Sequence, residues 1–548
     1  MISLIRAGVA LVLLAAAMPA LAQAPGATPG RDFDAGWTTY YGPEYFLYLA
    51  VKNPNIDGPM MHRPLDNEPP AQAPGAANNP SRFLREFIDD AKKEKIVDGH
   101  LTELVPEGFA VGVAAGADPK RDPVVLMVAP KTPKLAKFVD WVAGKYKAKH
   151  GADAVTEIKI EGAPGFKFVK GDPKAQPVIV VSDTAILMSN VEAAVAPALK
   201  RSHDPKDSVA ASKYYKRARS RVGADAALFA MVDPMPMLNL IEQSSAATTT
   251  PEQAKKVADA KRNFQAVDSV LMQLSATKQA SHFDVSVLLD PGSPAYKNFK
   301  LLAGASSVKA SSTIGADAPV FLSIIRPTDL NGAIAPENRE QLTQQLNSVK
   351  GMLQVQTGLD FEKDVAPWWG NEIALVLHVP EGAPPEGAVL FETKDPKAAA
   401  EAVDKVVRHV GVSQNRTFAD QKIGDATLKV AQPPQGMPPT PINPTLGLVG
   451  NYVALATGPN VIAAALESKA KLAGSPGFER LGAAISPDKL LIVVYLKTDV
   501  LVKAQGQNAN SPTGAQVKKL ADEVESVALG LGWPDEETVR LTVLFSGR

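Results

Sequence analysis

Few residues of this chain fall into patterns that perform chemistry. Its seven histidines, His62, His100, His150, His203, His282, His378 and His409, are scattered, and none forms an HExxH or other close ligand pair. There is no cysteine, which excludes disulfides, thiolate metal sites, a cysteine nucleophile and a lipidated N-terminal cysteine. No G-x-S-x-G elbow, Walker loop, Gly-rich fingerprint or EF-hand spacing occurs. The expectation is therefore no catalytic residue, no cofactor and no metal. His378, at the end of the apolar run EIALVLHV, reads as a strand-end histidine.

Two groups could meet a ligand or partner. Trp368 and Trp369 offer aromatic faces that suit a sugar or a proline-rich peptide, although Pro-Trp-Trp-Gly also makes a rigid turn with one indole anchored in the core. The run KYYKRARSR places Lys213, Lys216, Arg217, Arg219 and Arg221 together, a candidate surface for an acidic polymer or an anionic head group. A solvated helix face is the plainer account of that run. Asp364 and Glu372 flank the Trp-Trp turn and are the first candidates for the carboxylates of a hydrolase, although the sequence does not pair carboxylates. Their plainer roles are a turn cap and a solvated strand edge. The aromatic cluster Tyr40, Tyr41, Tyr45, Phe46 and Tyr48 is expected in the core.

The elements that must position these residues are clearest in the second half. Val320 to Ile325 reads as a strand. Residues 337–357 read as an amphipathic helix with Leu342, Leu346, Val349 and Leu353 on one stripe and Gly358 as its stop. Strands are expected at 372–379 and 387–393. Asp395 should cap the next helix, with Pro396 in its first turn. Strands at 426–431 and 446–457, a helix at 460–470, a buried strand at 490–496 and a final helix with a hairpin (524–531, 538–545) follow. Strands arriving in antiparallel pairs with helices between them indicate α+β. Proline-rich inserts at 52–80 and 432–444 are expected as surface loops.

Internal similarity sets the domain plan. One constant shift pairs Ala210 with Ala473, Ser212 with Ser475, Arg217 with Arg480, Asp225 with Asp488 and Leu228 with Leu491. The same shift pairs Lys131, Pro133 and Lys134 with Lys394, Pro396 and Lys397. The expectation is two tandem homologous domains at 37–300 and 312–548, each a mostly antiparallel sheet packed by helices, with a linker at 301–311. Before them, residues 1–22 have a positive start at Arg6, an apolar run and an Ala20-Leu21-Ala22 cleavage site, the pattern of a secretory signal peptide. Residues 23–36 are a Pro/Gly/Ala-rich leader.

The order FEKDVAPWWG at 361–370, a helix opening at Asp395-Pro396, and Phe478 followed by Pro487-Asp488 before a strand resembles an exported bacterial family, domain of unknown function 3352. The resemblance is clearest over about 315–500. It implies an exported α+β protein and carries over no catalytic residues. Basic and acidic residues balance at 58 each, so no net field favours nucleic acid. The functional expectation is a periplasmic or secreted non-enzymatic protein that binds an envelope protein or an apolar ligand, with no span across a membrane after signal cleavage. The alternative is an exported hydrolase acting on an envelope polymer.

Overall fold

A computed structural model describes residues 36–52, 90–96, 104–115, 124–169, 176–223, 226–245, 264–277, 279–296, 307–326, 336–379, 385–433, 442–505 and 521–548, with a few single positions between them. The expected signal peptide and nearly all of the leader, much of the 301–311 linker, and most of both proline-rich inserts lie outside the described residues. The chain is α+β and divides into two compact units, residues 1–289 and 290–548.

The first unit contains β1 (Tyr45–Val51), β2 (Phe109–Ala114), β3 (Val124–Pro130), helix α1 (Pro133–His150), β4 (Val155–Ile160), β5 (Ala163–Phe168), β6 (Val178–Val181) and β7 (Ala185–Ser189). Helices α2 (Val195–His203) and α3 (Lys213–Arg219), β8 (Ala226–Val232), helix α4 (Pro234–Ser245) and the hairpin β9 (Val267–Ala276) and β10 (Ala280–Leu289) follow. Its sheet runs β10-β9-β8-β1-β2-β3-β7-β6-β5-β4, antiparallel throughout. Tyr41, Tyr48, Leu126, Leu187 and Phe229 are fully buried, with Val195, Leu199 and Tyr215 packed on them from the helices. The aromatic cluster is thus core: Tyr41 meets Tyr45 and Tyr48 edge to face, each at 5.2 Å.

The second unit contains β11 (Val320–Ile325), helix α5 (Pro336–Thr357), β12 (Trp369–His378), β13 (Glu386–Thr393), helix α6 (Pro396–Ser413), β14 (Phe418–Ile423), β15 (Ala426–Ala431), β16 (Thr445–Val449) and β17 (Tyr452–Ala456). Helices α7 (Pro459–Glu467) and α8 (Pro476–Ala484), β18 (Leu490–Lys497), helix α9 (Thr498–Gln505) and the hairpin β19 (Val524–Asp535) and β20 (Thr538–Gly547) follow. Its strands pair in the order β20-β19-β18-β11-β12-β13-β17-β16-β15-β14, again antiparallel throughout.

Three local expectations are corrected. The strand expected at 446–457 is a hairpin, β16 and β17, because Gly450 takes φ +55 and turns the chain. The first hairpin strand, expected to end at 531, runs on to Asp535 as β19, so the turn comes later. On α5 Leu353 is the one described member of the expected stripe that packs against the core. Leu346 and Val349 are 38% and 60% exposed, and the side chain of Leu342 lies outside the described residues.

Candidate functional site

The Trp-Trp turn is built by a wide helical turn at Phe361–Val365 that follows α5. Asp360 caps it, accepting from the amides of Glu362 and Lys363 at 3.0 and 3.1 Å. Trp368 is buried and donates its Nε1–H to the Asp364 carbonyl at 2.6 Å, which closes the turn on itself. Trp369 lies between Phe361 and Phe391, edge to face with each, and the Arg326 guanidinium stands 4.9 Å from its ring centre. Its Nε1 is buried and has no hydrogen-bond partner. Both indoles are therefore packing groups. The candidate ligand faces point inward, into the cluster of Leu359, Val365, Ala399 and Val403.

Neither carboxylate beside the turn is free. Asp364 accepts from the Asp360 amide at 2.7 Å and from Lys405 of α6. The Lys405 hydrogen bond, against a smaller effect of burial, holds the Asp364 carboxyl below its ordinary range. Glu372 is completely buried and is not a solvated strand edge. It accepts from Ser323 Oγ at 2.7 Å, Tyr452 OH at 2.7 Å, and the amides of Lys309 and Ala310 at 3.0 Å each. Beside it, Glu392 accepts from Lys309 Nζ at 2.8 Å and from the amides of Asn371 and Glu372 at 2.9 and 3.1 Å. Burial works to raise the Glu392 pKa, but these three donors outweigh it and the carboxyl is lowered. Burial and the Glu372 charge push the Tyr452 phenol well up. The sequence pattern did not reveal this network. Its members come from five separate segments, with no shared spacing.

In the first unit the basic run forms α3, capped by Ser212, whose Oγ accepts from the Tyr215 amide at 3.1 Å. Tyr215 and Ala218 are buried on its inner face. Lys216 is exposed, whereas Arg217, Arg219 and Arg221 are half-buried. Arg217 forms an ion pair with Asp268 and donates to the Leu289 carbonyl at 2.6 Å. The run therefore stitches its helix to β9 and β10. The six sequence-nominated contact residues divide between the two units: the four cations lie in the first, and Trp368 and Trp369 in the second.

Open space lies elsewhere. The cavity between α7 and the sheet, lined by Val376, Leu390, Val461 and Ile462 among others, has room of only about 10 Å³. That is at most one water. An open groove of about 400 Å³ runs between the C-terminal end of α5 and α6, lined by Gly358, Lys405, Arg408, His409, Val412 and Ser413. His409 Nε2 bonds the Val355 carbonyl at 3.2 Å, satisfying one of the orphan acceptors of the last turn of α5. Val412, which lines the groove, is 88% exposed, and on α5 Val355, whose carbonyl meets His409, and Met352 are 78% and 54% exposed. Groove and turn are linked, because Lys405 lines the first and is held by Asp364 of the second.

Both lie within a segment that matches a known family. Residues 295–543 match the family described as Protein of unknown function (DUF3352). The match takes in β11 to β19, most of β20, the Trp-Trp turn and the groove. No curated protein matches the chain. Two solved structures of TP0453, in crystal forms III and I, share 13% and 11% identity with it. They cover 51% and 49% of this chain and 89% and 86% of their own, with TM-scores of 0.25 and 0.23. At those scores the likeness carries no argument about fold or function. Among the described residues no helix is long and apolar enough to cross a membrane, and no three His, Asp or Glu side chains form a metal site.

Proposed function

We propose that this chain is an exported, non-enzymatic binding protein of the periplasm or the extracellular space, made of two tandem copies of one domain. The ligand is an apolar or envelope molecule or a protein partner. The observation that carries this reading is the open α5–α6 groove with uncovered apolar side chains beside it, since large exposed apolar groups clustered at a groove mark interaction sites. Export rests on the signal-like residues 1–22. Duplication is supported by the two ten-strand pairing orders, which match strand for strand, together with the constant sequence shift between the halves. Asp364 and Glu372 are the first candidates of the hydrolase alternative. Both are engaged in internal hydrogen bonds, which favours binding over catalysis.

The test is to purify the protein from its native envelope fraction and compare its mass under native and denaturing conditions. A stoichiometric extra mass that is lost on denaturation is expected. A chain that carries nothing overturns the reading and makes a hydrolase screen on envelope polymers the next step.

A further inference from the structure

Resting on the binding-protein reading, the groove itself indicates a ligand class. No acidic residue lines it, and three of its six lining residues carry basic nitrogen: Lys405, Arg408 and His409. Two of those are already engaged, Lys405 by Asp364 and His409 by the Val355 carbonyl. Arg408 is exposed and makes no ion pair or hydrogen bond among the described residues. One guanidinium is therefore left to face an incoming anion, in a fork that fits a carboxylate or a phosphate.

The apolar part of the site is continuous with it. Val412 stands one helical turn beyond Arg408 and His409 on α6. On α5, Val349, Met352 and Val355 are three residues apart, so they are neighbours along one ridge, and that ridge meets the groove where the Val355 carbonyl bonds His409. All four are more than half exposed. From position 341 to 357 this helix carries no Asp or Glu and a single Lys. A charged end, an uncharged apolar ridge and a small open volume match one charged group attached to one hydrocarbon chain.

We propose that the α5–α6 groove binds a single-chain anionic amphiphile, with Arg408 as counter-ion to its head group and Val412, Val355, Met352 and Val349 as the seat of its chain. The head group is a carboxylate or a phosphate monoester. Which of the two is used is read by comparing laurate with dodecyl phosphate.

The experiment is isothermal titration of the purified chain with laurate, kept below its micelle concentration. Saturable binding of one laurate per chain is expected. Arg408→Glu and Val412→Asp should each weaken it at least tenfold. Both positions are exposed, so the thermal midpoint of each variant should equal that of the wild type. Dodecyl maltoside has the same chain without the charge, and its weaker binding should be indifferent to Arg408→Glu. Absence of saturable binding overturns the proposal, as does equal binding by wild type and both variants. Inorganic phosphate binding as tightly as laurate also overturns it, because the site would then be a plain anion site. A ligand that co-purifies while laurate ignores the groove would sink this assignment and leave the binding-protein reading standing. A groove that takes laurate in a chain that carries nothing from the cell would do the reverse.

Discussion

The hydroxyl of Tyr452 donates to Glu372 Oε2 across 2.7 Å, reaching from β17 to β12 past the intervening strand β13. Glu372 has no solvent exposure, so its charge depends on its protein donors alone. Those donors fix the chain at Lys309 and Ala310 onto the sheet just before β11. Tyr452→Phe should therefore destabilise the second unit by about 1.5–3 kcal/mol, the range for a hydrogen bond to a charged group. Glu372→Gln should cost more, because an amide NH2 would face donors that need an acceptor. Urea unfolding of the wild type and both variants tests this. An unchanged midpoint for Tyr452→Phe would show that the bond contributes nothing.

Much of the second unit is legible in sequence wherever the physics is local. Asp395 accepts from the amides of Lys397 and Ala398, and Pro396 opens α6 behind it, as the Asp-Pro pair predicts. Strand β14 is hidden because Ala419, Asp420, Gln421 and Lys422 are all exposed, and a strand without a buried face shows no alternation. The α5 stripe has helical spacing, but spacing does not reveal whether anything covers it: Leu353 is covered, whereas Leu346 and Val349 are exposed. The Glu372 network is illegible for a different reason. It is a product of register, which sets Glu392 opposite Tyr452, whereas the rung that likewise opens the β3–β7 pairing of the first unit sets Pro130 opposite Ala185.

Acid should weaken the second unit through two carboxylates. Asp364, held by Lys405, and Glu392, held by Lys309 and two amides, both titrate below their ordinary values of 3.8 and 4.5. A carboxyl lowered on folding contributes stability that is fully present above its unfolded value and is lost as pH falls through the folded one. Thermal midpoints should therefore hold near neutrality and fall as the pH drops below these ordinary values. Lys405→Met should remove part of that acid dependence. An identical midpoint-versus-pH curve for this variant would mean that the Asp364–Lys405 pair is too well screened to matter.

The two tryptophans should respond differently to replacement. Trp368→Phe loses the Nε1 bond to the Asp364 carbonyl as well as buried ring volume. Trp369→Phe loses ring volume and the Arg326 contact but no hydrogen bond. The first should cost about 1 kcal/mol more than the second, the net contribution of one neutral hydrogen bond. Chemical denaturation of both variants measures the difference. Equal losses would mean that the turn is held by packing alone.

The basic run makes a parallel prediction for the first unit. Arg217→Ala removes the partner of Asp268 and the donor to the Leu289 carbonyl, so it should lower stability by about 1–3 kcal/mol. Lys216→Ala, on the exposed face of the same helix, should change it by no more than about 0.5 kcal/mol. A destabilising Lys216→Ala paired with a silent Arg217→Ala would reverse the roles assigned to the two faces of α3.

Gly358 ends α5 with φ +73, a left-handed geometry that disfavours any side chain. A Cβ added there would lie 2.7 Å from His409 Nδ1, closer than two unbonded atoms tolerate. Gly358→Ala should therefore cost roughly 1–2 kcal/mol for the backbone conformation, plus the displacement of His409. That displacement would also release the Val355 carbonyl that His409 now satisfies. The two contributions separate in a double-mutant cycle with His409→Ala. In that background the clash is gone, so the alanine at 358 should cost only the backbone amount. If the cost of Gly358→Ala is the same with and without His409, the imidazole moves aside freely. In that case the left-handed backbone alone requires glycine at this position.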